Sequence, residues 1–160
     1  MTEEQKRLAA VHHVVHDYTN LVSSGLLTQT PLKPPINTRV QHAFLLNCRK
    51  MAAFFLNVRE HTDILSKEFL TPKKLGFKLV WKKQWNQAMN RQLLHLSYDR
   101  IDKANPWDGT PNKVLLDEFQ MAWKRFLDNL AEPYKSEFEK EITNKLRPGS
   151  EFGRLNLRGL

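Results

Sequence analysis

The chain has 160 residues, with 41% apolar and 26% charged residues. That is the balance of an ordinary globular domain with its own core, and it excludes low-complexity, collagen-like and disulfide-scaffold chains. Lys and Arg number 25 against 17 Asp and Glu, a net charge of +8, which favours polyanionic partners such as nucleic acid.

The chain opens Met1-Thr2-Glu3-Glu4-Gln5. An acidic, polar start is not the basic start and apolar run of a secretory leader. Thr2 followed by Gln5 has the form of a capping box. It predicts a first helix from about Glu3 to Ser23, with Leu8, Val11, Val15, Tyr18 and Val22 at helical spacing and Gly25 as its stop. The stretch 28–36 carries three prolines, which remove donors and hold the chain extended. Asn37 is the predicted cap of a second helix, roughly Thr38 to Arg59. Its apolar arc of Val40, Phe44, Leu45, Cys48, Met51, Ala52 and Phe55 is wide enough for a central place in the core. Cys48, the single cysteine, reads as a small core residue. No disulfide can form within the chain, which suits a reducing compartment.

Residues 61–70 read as a connector with one or two helical turns around Ile64 and Leu65. Thr71-Pro72 then gives a cap-plus-proline start for a third long helix, about Pro72 to Lys103. Asn105-Pro106-Trp107-Asp108-Gly109 reads as a loop, and Thr110-Pro111 repeats the start signal. Behind it, Leu115, Leu116, Phe119, Ala122, Trp123, Phe126, Leu127 and Leu130 form a strong apolar face. Pro133 should kink or interrupt this fourth helix, because it lacks a donor and clashes with the preceding turn. A polar helical segment follows, Tyr134 to Lys145. Gly149-Ser150-Glu151-Phe152 matches the translation of two common adjacent cloning sites, so the tail from 147 to 160 is either vector-derived or native and stands outside the fold.

No segment alternates with period two. The predicted fold is all-α: an antiparallel four-helix bundle with a kinked C-terminal helix, occupying residues 1–146. No run of about 18 apolar residues occurs, so no membrane span is expected, and the protein reads as cytoplasmic.

The densest chemistry lies late in the third helical segment. Arg91, His95, Tyr98, Asp99 and Asp102 fall on one stripe at i,i+3 and i,i+4 spacing. Histidine can move protons near neutral pH, and arginine can hold a phosphate or a developing anion. The competing reading is a solvated face with i,i+4 pairs. A helical bundle with a polar residue pair and a histidine late in its third long helix resembles the HEPN superfamily. The family's usual motif is an arginine, four to six residues, then a histidine, often with Asn, His or Asp directly after the arginine. His95 fits the histidine, and Asn90 stands five residues before it. Arg91 has only three residues between itself and His95, so either it substitutes from a neighbouring helical angle or the chain is a non-catalytic member. The resemblance implies a homodimer whose motif helices meet at a shared RNA-cleaving cleft, in a prokaryotic defence or toxin–antitoxin setting. His95 and Arg91 would be catalytic, with Asn90 and Tyr98 orienting substrate or imidazole.

Two other groupings stand out. Lys73, Lys74, Lys78, Lys82 and Lys83, interleaved with Trp81 and Trp85, could track phosphates while the rings stack on bases. Lys82 and Lys83 are the substrate-binding candidates. The alternative is a solvated lysine face over core tryptophans. Next, His12 and His16 share a helix face with His13 and Asp17 close by. Such a pair can bind a divalent metal if His42, His61 or His95 completes it. The chain lacks the Glu-x-x-His pair of di-iron bundles, and the histidines equally read as a border to Val11, Val14 and Val15. No metal or other cofactor is therefore expected. A glycine-rich phosphate loop, a Cys-x-x-Cys pair and a nucleophile motif are all absent from the sequence, which leaves nucleotide hydrolysis and serine-hydrolase chemistry unsupported. The expected function is RNA binding or cleavage. The alternative is a non-catalytic helical subunit that works through a protein partner.

Overall fold

The computed structural model describes residues 1–57, 64–71 and 110–147. They form four α-helices: α1 (Glu3–Leu27), α2 (Ile36–Leu56), α3 (Thr110–Leu127) and α4 (Tyr134–Leu146), with a 3-10 turn at Ser66–Glu68. There is no strand among the described residues; Leu70 and Leu130 make an isolated antiparallel bridge. The protein is an all-α helical bundle.

The capping box at the start of α1 is present in full. The Gln5 backbone N–H donates to Thr2 Oγ1 at 3.2 Å, and the Thr2 backbone N–H donates to Gln5 Oε1 at 2.8 Å. The helix does not stop before Gly25 but runs on to Leu27. A Cβ built on Gly25 would lie 2.8 Å from Phe44 Cε2 and 3.0 Å from Leu116 Cδ1. Glycine is there for close approach of α2 and α3, not as a terminator.

The α2 helix starts two residues earlier than the Asn37 cap predicts. Pro35 holds the cap position without a side-chain bond, and Asn37 Oδ1 instead accepts from the next backbone N–H at 2.7 Å. At the other end Asn57 adopts the left-handed conformation, φ 54°, which asparagine tolerates better than most residues. Its Oδ1 accepts from the Lys67 backbone N–H at 3.0 Å and from Ser66 Oγ at 3.3 Å. The end of α2 is thereby tied to the 3-10 turn. That turn lies two residues beyond the predicted Ile64–Leu65 position, because Ser66 and Lys67 supply the donors that Asn57 uses.

The α3 helix begins at Thr110, where the cap-plus-proline signal places a start. It ends at Leu127, and Pro133 stands immediately before α4, so helix is interrupted there. In the intervening loop the Ala131 N–H donates to the Phe69 carbonyl at 2.9 Å. Thr71 is described, with its N–H 3.4 Å from the Asn129 carbonyl, whereas Pro72 and the rest of the predicted third long helix lie outside the described residues.

Contacts set the helix directions. Gly25 meets Phe44 and Asp17 meets Lys50, so α1 and α2 are antiparallel. Gln41 pairs with Asn112, and Phe55 contacts both Phe119 and Phe126, so α2 and α3 run the same way. Arg7 meets Tyr134 and His12 meets Glu141, so α1 and α4 are parallel.

One core joins them. Phe44, Phe55, Trp123 and Phe126 are buried in a single cluster with Tyr18, Phe69, Phe119 and Phe138. Phe126 packs edge-on against Phe54, Phe69 and Phe138 at ring separations of 5.3, 6.3 and 5.3 Å. Each buried ring of this kind contributes roughly 1.5–3 kcal/mol by its removal from water. Cys48 is fully buried, and desolvation pushes its thiol well above its usual range, as suits a packing residue and not a nucleophile.

Candidate functional site: the polar edges of helix one

Helix α1 has two polar edges, one facing α2 and the other α4. Between α1 and α2 lies a cleft of about 410 Å³, within the usual range for small-ligand sites. Its floor is apolar. Val14, Met51 and Phe54 are buried there, and Ala53 is half-buried. Leu46 and Ile64 flank it and remain 48% and 36% exposed. Its rim is polar: His13 and Asp17 from α1, Arg49 and Lys50 from α2. The charges follow from helix phase. Cys48, Met51, Ala52 and Phe55 point into the bundle, so Arg49 and Lys50 must emerge beside them on the opposite arc.

Within that rim Lys50 Nζ lies 3.1 Å from Asp17 Oδ1. Arg49 is exposed and makes no ion pair among the described residues. The cleft therefore combines an apolar floor with one guanidinium that has no counter-charge among the described residues. Arg49-Lys50 is visible in the sequence as a cationic doublet between Cys48 and Met51, but which residues of α1 face it depends on how the helices pack.

On the other edge His12 and His16 do share a face. Their rings are near parallel, 7° apart with centroids separated by 6.4 Å. Partners from within α1 and from α4 take them. His12 Nδ1 donates to Glu141 Oε1 at 2.7 Å, while His16 Nε2 lies 3.0 Å from Asn20 Nδ2 and its Nδ1 3.5 Å from Lys145 Nζ. Lys145 puts a cation beside the pair, which disfavours a metal cation there. Among the described residues no group of three or more His, Cys, Asp or Glu is arranged to hold a metal ion. The arrangement instead clasps α4 to α1. Lower on the same seam Arg7 Nε lies 3.5 Å from Glu68 Oε2. The hydrogen bond to Tyr134, foremost, and then the charge of Glu68 raise the Arg7 guanidinium pKa.

Asn90, Arg91, His95 and Tyr98, the Lys82–Lys83 pair with its neighbouring lysines and tryptophans, and His61 all lie outside the described residues. His42 lies half-buried on α2. Among the described residues no helix is long and apolar enough to cross a membrane. The chain matches no family model, no curated protein and no solved structure.

Proposed function

We propose that the chain is a HEPN-like helical-bundle protein that binds RNA through the stripe carrying Arg91 and His95. The spacing of that stripe carries the reading: Asn90 five residues before His95, and Arg91 one helical turn before it. The all-α bundle and the net charge of +8 support it, because phosphate contacts dominate nucleic-acid affinity. Lys82 and Lys83 are the further candidates for phosphate contacts. On this reading two copies pair through the motif helices, and the protein serves a prokaryotic defence or toxin–antitoxin system in the cytoplasm.

Cleavage follows where Arg91 takes the place of the family arginine. His95 removes the proton of a 2′-hydroxyl, and that oxygen attacks the adjacent phosphorus. The bond to the 5′-oxygen breaks as that oxygen takes the proton back from the His95 imidazolium, leaving a 2′,3′-cyclic phosphate on one fragment and a 5′-hydroxyl on the other. Arg91 holds the anionic phosphorane, and Asn90 and Tyr98 orient substrate and imidazole.

The test compares wild type, His95→Ala and Arg91→Ala on a mixed RNA substrate with chelator present. His95→Ala should abolish cleavage while the fold and binding survive. Arg91→Ala should weaken binding and reduce the slope of log affinity against log salt by about one. Identical binding and cleavage in all three proteins rejects the site, and the protein-interaction reading then leads.

A further inference from the structure

The geometry points to a second binding site: the cleft between α1 and α2 takes a small organic monoanion with an apolar body, an aliphatic or aryl monocarboxylate. It stands on α1 and α2 and is independent of the RNA reading.

Size decides first between a small molecule and a protein. A stable protein interface engages about 20–30 residues on each side. Among the described residues ten line this cleft, and its volume is about 410 Å³, the scale of a small-ligand site. The floor decides next. Val14 and Phe54, with Leu46 and Ile64 beside them, offer no polar side-chain group to a ligand body. The buried part of the ligand is therefore apolar.

Charge decides the head group. Lys50 is matched by Asp17 at 3.1 Å, and Arg49 beside it has no counter-charge among the described residues. Among the described residues the rim carries Arg49 and Lys50 against Asp17, one positive charge in excess, so a single negative charge complements it. A guanidinium presents a planar fork of donors that fits a carboxylate in two parallel hydrogen bonds. Leu46 and Ile64, exposed at the mouth, give an alkyl or aryl stem apolar surface to cover.

The experiment follows the methyl resonances of Val14, Leu46, Met51, Ala53 and Ile64 in the full chain during titration with octanoate. Octanol, octyltrimethylammonium and inorganic phosphate are the controls. Octanoate should shift these methyls at a saturable single site. Octanol should bind several-fold more weakly, and the cation and free phosphate should leave the methyls unmoved. Arg49→Gln should weaken octanoate by roughly threefold to tenfold and leave octanol unchanged. Arg49 is exposed, so this variant keeps the core intact. Ala53→Trp, which fills the cleft, should abolish binding of both octanoate and octanol. If Ala53→Trp does not fold, the Arg49 arm still decides. The proposal is overturned by equal affinity for octanoate and octanol, by an unaltered Arg49→Gln protein, or by shifts spread over the whole spectrum or absent.

Discussion

Deleting the Tyr18 hydroxyl should stabilise the fold. The Tyr18 ring is fully buried and stacks on Trp123, with centroids 4.0 Å apart and planes 9° from parallel. Its hydroxyl is buried with no hydrogen-bond partner among the described residues, and desolvation alone drives its pKa up. Tyr18→Phe keeps the ring and the stack and removes only the oxygen. Leaving a hydroxyl buried without a partner costs about 1–3 kcal/mol in mutational series. The oxygen's dispersion contacts, at ~0.1–0.2 kcal/mol each, offset part of that. The net gain is about 1 kcal/mol, or roughly 2–4 °C in midpoint for a chain of this size. Urea denaturation should show a higher midpoint at unchanged slope. A loss of more than about 0.5 kcal/mol would refute the reasoning, because it would mean that the hydroxyl makes a bond the fold depends on.

Two further substitutions test the packing. Phe126→Ala removes a ring at the centre of the aromatic cluster and should cost roughly 3–5 kcal/mol; a loss below about 1 kcal/mol in the same assay would mean that α3 docks by another face. Gly25→Ala would add about 1 kcal/mol in an open helix. Here the new methyl meets Phe44 at 2.8 Å, and overpacking of about 1–3 kcal/mol should cancel or reverse that gain. A midpoint raised by several degrees would show that Phe44 yields freely.

What could be read along one helix was legible before the fold was known. The Thr2–Gln5 capping box, the start at Thr110 and the burial of Phe44, Phe55, Trp123 and Phe126 all follow from spacing on a single element. What depends on a partner element was not. Gly25 looked like a stop because isolated glycine is a poor helix former. Only the arrival of Phe44 and Leu116 shows why the helix needs it. Asn37 looked like a cap because asparagine caps well, yet the turn closes at Pro35 first. His12 and His16 read as a polar border to Val11, Val14 and Val15, and nothing in the sequence near them reveals Glu141 and Lys145. Those partners stand 129 residues away. The candidates from Lys82 to Tyr98 rest on the sequence alone.

The same division explains why the α1–α2 cleft escapes a sequence reading while its ingredients do not. Arg49 and Lys50 are visible as charges, and Val14 and Phe54 as apolar residues, but a cleft needs the offset between two helices. At one end of the pair the approach is close. Gly25 has no side chain, so Phe44 closes directly onto α1 there. Toward the other end Val14, Asp17, Lys50 and Phe54 all carry side chains, and these line the space between the helices. The seam is thus closed by a glycine and an aromatic ring at one end and open at the other, where Arg49 has no counter-charge among the described residues. Adding a methyl at Gly25 acts on the closed end alone. If the offset sets the cleft, Gly25→Ala should shift the Val14 and Ile64 methyls along with those near Phe44, although neither residue touches the new group. A perturbation confined to the neighbours of residue 25 would show that the two ends of the helix pair are independent.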